Sequence, residues 1–457
     1  MNSVIVIVFF LGMILVGVLS MRRITSADSY YVADRGGGTA AITGSLLATT
    51  VGGSSTIGLA GLGYQKGLVG AWWMLAGVVG LTVLSLWLAG RVRESGVYTL
   101  PGILEQQYGE RGTKIAASVL IVTAWLGIIA GQIVAAGKIM AVLWPENLTM
   151  LMGIAAAVFI LYTVLGGQYS ILRTDGIQAL IIGAGTLVCF VASLRAAGTA
   201  GIAYHLPRSF FSFPVNPGFG WIDLLVFLLF VGSTFLVGPD IYSRVLCSRD
   251  TRTARRALLL TAAVMIPLAF LITAIGMSAR VLFPEIAPES AFPVLIGTVV
   301  PAGFNGLVIA ALLAAVMSSA DTCLLTTGTI IAVDVVDPLS RSRISGERLL
   351  SISRVAIILI GLLSLFIALK LRGVIASLLL GYTVFSAGLL MPVLFGFYKD
   401  RFALRAAGVY VSIAGCGGLA LALKLAGCDR AILITLPLSV LLLFAGSRLG
   451  RRWEERT

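Results

Sequence analysis

Ser318, Ser319, Asp321 and Thr322 lie within a few residues of one another in the run Ala314-Ala315-Val316-Met317-Ser318-Ser319-Ala320-Asp321-Thr322, inside an otherwise apolar stretch. A carboxylate at bilayer depth costs roughly 2.5–3.5 kcal/mol on insertion scales unless a cation, a proton or hydrogen bonds satisfy it. The hydroxyls of Ser318, Ser319 and Thr322, at i, i+1 and i+4, offer hard oxygen ligands on one helix face. Ser318 and Ser319, with the Ala315 carbonyl, supply three oxygens, and the run Thr49-Thr50-Val51-Gly52-Gly53-Ser54-Ser55 can free further carbonyls near Ala48 and Val51. Neutral oxygens suit a monovalent cation such as Na⁺, whereas Ca²⁺ or Mg²⁺ would need more charge. A second buried carboxylate, Asp175, sits in Gly166-Gly167-Gln168-Tyr169-Ser170-Ile171-Leu172-Arg173-Thr174-Asp175. It is expected at the depth of Asp321, where the two could share a cation or a proton, or Asp175 could pair with Arg173 or an inner-loop arginine.

These groups need a membrane scaffold to hold them. The 457 residues are 58% hydrophobic and 12% charged, more apolar surface than a soluble domain can hide. Hydropathy predicts an all-α polytopic membrane protein with about 13 transmembrane helices, near 3–21, 39–64, 68–90, 113–143, 149–165, 173–195, 219–238, 253–283, 302–335, 347–370, 373–397, 403–424 and 430–448. Two of these segments are expected to be broken. The second contains the paired glycines Gly52-Gly53, and the seventh contains Gly232-Ser233-Thr234 followed by Gly238-Pro239. Broken helix is tolerated in a bilayer only where it is buried in protein or lines a cavity. The breaks lie five segments apart, so corresponding segments enter the membrane in opposite directions, the mark of an inverted-repeat transporter.

The formal net charge of +13 would suit a nucleic-acid binder, but most of the 33 lysines and arginines fall in alternate loops. That asymmetry predicts an N-terminus outside and a C-terminus in the cytoplasm, and no nucleic-acid partner. Met21-Arg22-Arg23 follows the first segment without a small-residue cleavage pattern, so that segment reads as a retained helix. The five cysteines are scattered without a CxxC pair and His205 stands alone, so neither a metal site nor a catalytic centre is expected from them. The motifs of intramembrane aspartyl proteases are absent and no enzyme activity is expected. Lys138 is expected to snorkel from the outer end of its helix.

At these residues the chain resembles the sodium:solute symporter family, carriers of sugars, proline, sialic acid, pantothenate and carboxylates. The match includes Asp28-Ser29-Tyr30-Tyr31-Val32-Ala33-Asp34-Arg35, Thr99-Leu100-Pro101 through Gly109, the run ending at Gln178, Asp240-Ile241-Tyr242-Ser243-Arg244, and above all the Ser318-Ser319 run. The resemblance implies a leucine-transporter-type 5+5 inverted repeat at helices 2–11 in a single membrane domain. Its parts would be residues 1–38 (first helix and inner loop), 39–195 (first repeat), 219–397 (second repeat) and 398–457 (two further helices and a basic tail). It implies a main Na⁺ site of Ala48, Val51, Ala315, Ser318 and Ser319, and a second at Asp175, Ser318, Asp321 and Thr322, where some members have serine in place of Asp321.

Solute-contacting positions of the sugar carriers fall here on Thr234, Leu379 and Met74, and the aspartate of proline carriers falls on Thr50. The expected solute lining is Thr50, Ser54, Ser55, Trp72, Gln132, Ser233, Thr234, Tyr382 and Ser386, a small hydroxyl-rich, partly aromatic cavity. It favours an amino acid or carboxylate over a sugar. The expected function is sodium-coupled import of that solute by alternating access in a bacterial inner membrane, with the monomer as working unit. Proton coupling through Asp175 and Asp321 is the alternative, and a channel or sensor a remote one.

Overall fold

The computed structural model describes residues 2–21, 24–145, 147–340, 344–371, 373–428 and 430–454. The principal helices are α1 (Asn2–Met21), α2 (Thr39–Thr50), α3 (Leu59–Lys66), α4 (Trp72–Val83), α5 (Leu100–Tyr108), α6 (Arg111–Met140), α7 (Leu148–Ala197) and α8 (Trp221–Val237). They continue with α9 (Pro239–Cys247), α10 (Thr251–Leu282), α11 (Asn305–Thr329), α12 (Gly346–Leu371), α13 (Val374–Gly396), α14 (Ala406–Leu425) and α15 (Ile432–Glu454). Helices dominate because lipid offers a backbone no hydrogen bonds, so each segment must satisfy its own.

Sequence-local signals set many of the ends. Thr99 caps α5, its hydroxyl accepting from the Gly102 N–H at 3.1 Å, with Pro101 in the first turn and left-handed Gly109 at the end. Asp250 caps α10 through the Thr253 N–H at 2.6 Å.

By length and composition, ten helices among the described residues can cross a membrane, with a shorter apolar helix at Gly381–Gly396. The count of thirteen is not reached because some expected segments are joined and others are short. Residues Ser54–Glu94 run on as one helical stretch, and α7 is one 50-residue helix. At 1.5 Å per residue α7 would be about 75 Å long, over twice the hydrocarbon thickness. It is divided at Gly167, whose φ of 55° and ψ of −165° are non-helical. A side chain there would also strike the Tyr30 ring.

The core is built around α11. Of its most apolar window 94% is buried within the protein, against 33% for α1, so α11 is a central post and α1 a peripheral helix. It packs on α7, α6, α12 and α2. Both expected breaks are present. α2 ends at Val51 (φ −95°, ψ 58°), and helix resumes as a π-helical turn at Ser54–Gly58. α8 ends at Gly238, extended at φ −61°, ψ 128°, before Pro239 opens α9. The Gly37 N–H bonds the Cys247 carbonyl at 3.0 Å, tying the approach to α2 to the end of α9. On the far side of the α2 break, α3 meets α10 backbone to backbone: a methyl group at Gly276 would overlap the Ala60 carbonyl oxygen, and one at Gly63 the Thr273 carbonyl.

Candidate ion and solute site

Ser318 and Ser319 face the broken end of α2. The Ser318 hydroxyl donates to the Ala48 carbonyl at 2.7 Å and lies 3.1 Å from the Ala315 carbonyl. The Ser319 hydroxyl donates to the Thr49 carbonyl at 2.7 Å and lies 3.2 Å from the same Ala315 oxygen. Five oxygens thus meet between two helices, with both serines buried. The second α2 oxygen comes from Thr49. Val51, the expected contributor, is buried at the start of the break, where its N–H bonds the Leu47 carbonyl. Other carbonyls of the break are occupied locally: Thr50 accepts from Ser55 Oγ at 2.8 Å and Gly52 from Thr56 Oγ1 at 2.9 Å. The Gly53 N–H donates to Gln132 Oε1 at 3.0 Å, pinning the break to α6.

One turn along α11 the chemistry changes from neutral to charged. Asp175 is fully buried and pairs with Arg244 of α9 at 3.0 Å, not with Arg173. The Arg244 guanidinium, itself without solvent exposure, also donates to Thr322 Oγ1, to Thr49 Oγ1 at 3.0 Å and to Ser45 Oγ at 2.9 Å. The Ser45 hydroxyl in turn donates to Asp175. Two members of the expected second cation set, Asp175 and Thr322, therefore hold a guanidinium. Asp321, from the same set, is buried nearby and accepts a 3.3 Å bond from Thr163 Oγ1. The two carboxylates do sit close to one cation, and that cation belongs to the chain.

Beside these clusters lies a narrow cavity of about 30 Å³, room for a water or two. Six of the expected lining residues reach it: Thr50, Ser54, Ser55, Gln132, Thr234 and Tyr382. Trp72 does not: its indole N–H donates to the Pro214 carbonyl at 2.9 Å and its ring stacks on Phe213, and the neighbouring Trp73 faces the cavity instead. Ser233 and Ser386 bond to each other at 2.9 Å across α8 and α13, outside the lining. The Leu379 side chain lies outside the described residues. The sequence pattern did not point to Asp240, Trp125, Phe235, Ser319 or Cys323 as lining, yet all of them border the cavity. A larger vestibule of about 510 Å³ opens on the other side of Trp73, bounded by Lys66, Phe227, Phe230, Lys424 and Arg430. Lys138 pairs with Glu289 and is half-buried, so it does not simply snorkel.

Known transporters resemble this chain in sequence and in overall fold. The chain is 28% identical over 412 residues to sodium/glucose cotransporter 4 of Danio rerio, covering 79% of this chain and 61% of that protein. It is 26% identical to high-affinity choline transporter 1 of Caenorhabditis elegans, over 95% of this chain and 79% of that protein. It is 24% identical to the high-affinity proline transporter PutP of Bacillus subtilis, over 80% of each. The chain spans about three fifths of the length of the glucose cotransporters it matches. Among solved structures, a Na⁺-coupled sialic acid symporter in a substrate-bound outward-open state superposes with a TM-score of 0.85 at 19% identity, covering 98% of both chains. Mhp1, a nucleobase-cation-symport transporter, superposes at 0.62 with 15% identity, over 93% of this chain and 94% of that one. The fold is thus the all-helical leucine-transporter type, in a multi-pass membrane protein with bacterial relatives. The sodium:solute symporter family model matches residues 30–415, and the chain belongs to that family of transporters.

Proposed function

We propose that this chain is a Na⁺-driven symporter that moves a small organic solute by alternating access. The observation that carries the reading is the meeting of Ser318, Ser319 and Ala315 on α11 with the Ala48 and Thr49 carbonyls at the α2 break. A sodium ion bound among these oxygens would clamp α2 to α11. The Ser319 hydroxyl and Thr49 belong to the ion cluster and also line the solute cavity, so solute and ion would each stabilise the other's site. Coupling follows if the clamped arrangement binds sodium more tightly than the alternative one; equal affinity for both would shift nothing. A membrane potential adds about 2.3 kcal/mol per charge per 100 mV.

The family name, the sodium/glucose cotransporter and the Na⁺-coupled sialic acid symporter named above support sodium coupling. Arg244 supports a single sodium per cycle, since its guanidinium takes up Asp175 and Thr322. Proton coupling through Asp175 has less support for the same reason: that carboxylate is already paired. The arginine-rich loops favour an N-terminus outside and a C-terminus inside a bacterial inner membrane. On that orientation the 510 Å³ vestibule faces outward and Trp73 stands between it and the solute cavity. Residues 39–195 and 219–397 would be the two inverted repeats, and the monomer the working unit.

The test is uptake by reconstituted protein under an inward sodium gradient, with Ser318→Ala and Ser319→Ala alongside. The sodium concentration for half-maximal uptake should rise in both. Unchanged sodium dependence in both variants would remove the site.

A further inference from the structure

We infer that the transported solute presents a positively charged nitrogen, an ammonium or quaternary ammonium group, to the cavity. This rests on the symporter reading and adds the chemical class of its cargo. The first observation is Asp240. It lies in the first turn of α9, just past the Gly238 break, and it borders the cavity while remaining half-buried. Among the described residues it forms no ion pair: Arg244, one turn further on, pairs with Asp175 at 3.0 Å, and the Asp240 carboxylate accepts from its own and the Ile241 backbone N–H at the start of α9. Among the described residues no lysine or arginine lines the cavity. An anionic solute without an ammonium group would therefore meet a like charge and find no cation, and a sugar would offer that charge no counter-charge.

The second observation is the ring content. Trp73, Trp125, Phe235 and Tyr382 surround the same space. Aromatic faces attract ammonium ions electrostatically, most strongly where water is excluded.

The third observation is the charge count of the buried centre. Asp175, Asp240 and Asp321 supply three carboxylates and Arg244 one guanidinium. A sodium ion at Ser318 and Ser319 and an ammonium group beside Asp240 would each offset part of this excess of carboxylates over cations. Buried charge is costly unless matched, so ion and solute would each lower the cost of binding the other. That is a physical reason for cotransport of two cations that would otherwise repel.

The experiment uses isosteric pairs that differ at the nitrogen: choline against 3,3-dimethylbutan-1-ol, and L-alanine against L-lactate. The purified full chain is melted with each, in Na⁺ and in K⁺. In Na⁺ the ammonium member of each pair should bind at least about tenfold more tightly, the size of one desolvated cation–π or charge contact. Asp240→Asn should abolish that preference and Asp240→Glu should keep it, which separates lost charge from lost folding. If the alcohol or lactate shifts the melt as strongly as its partner, or neither ammonium compound shifts it at millimolar concentration, the charge assignment is overturned. Failure of the symporter reading looks different: sodium itself would not stabilise the protein over potassium, whatever the solute.

Discussion

Two oxygen clusters sit one turn apart on α11 and are completed in opposite ways. Around Ser318 and Ser319 every oxygen is neutral, and the hydroxyls bond directly to the Ala48 and Thr49 carbonyls. Around Asp321 and Thr322 the centre is charged, and the cation beside it is the covalently attached Arg244. On the proposed reading, the contrast teaches what a reversible ion site requires. An ion that is to be released must leave behind groups that can satisfy one another, as hydroxyl and carbonyl do. A buried carboxylate without its cation costs far more, so a tethered guanidinium suits a charge that must stay matched through a whole cycle.

That comparison can be broken most decisively at the charged cluster. Arg244→Ala or Asp175→Ala should lower stability by about 3–5 kcal/mol, because each strands a buried charge. Thermal unfolding in detergent checks it, and a loss no larger than that of a surface substitution would mean the pair is dispensable. Next in size, Ser318→Ala and Ser319→Ala should each raise the half-saturating sodium concentration about tenfold, equivalent to about 1.4 kcal/mol, while the folded yield is kept.

Arg244→Gln sharpens the contrast, since it keeps some donors and removes the tethered charge. The native protein should show a Hill coefficient near one for sodium, and the variant, if folded, a higher value. A native coefficient clearly above one would show that the guanidinium does not replace a second ion. Ser233→Ala should have the smallest effect, about 1 kcal/mol of stability from the lost bond to Ser386. The solute's half-saturation should stay unchanged, because that hydroxyl lies outside the cavity; a changed value would place it inside.

Much of this was legible in the sequence where a residue broke a local rule. Paired glycines at Gly52 and the Gly238-Pro239 step disrupt apolar helices, and both are breaks in the structure. Ser318, Ser319, Asp175 and Asp321 stand out as polar groups in apolar runs, and all four are buried. The same rule would have found Arg244 and Asp240 had the chain after Gly238 been read as returning helix instead of loop. α9 is only nine residues long, too short for a hydropathy window tuned to about 20 residues to register.

Trp72 and Trp73 show a different limit. Adjacent residues point about 100° apart on a helix, and the tight 3₁₀ turn at Gly67–Ala71 sets the rotational phase of α4. Which ring faces inward is therefore decided by a turn whose geometry the hydrophobic pattern does not encode. Ser233 and Ser386 fail for another reason. A membrane hydroxyl looks the same in sequence whether it meets a cavity or a serine on the next helix.

The backbone contact between α3 and α10 bears on how the vestibule can open. Gly63 and Gly276 bring the two chains so close that no side chain fits between them, and so snug a seam favours shared movement over sliding. The α3 arm of the divided helix should therefore swing as one rigid body with α10, pivoting about the irregular residues near Val51–Gly53. Spin labels placed on Leu62 and Ala274 would then keep a constant separation through the cycle, while either label would drift relative to α11.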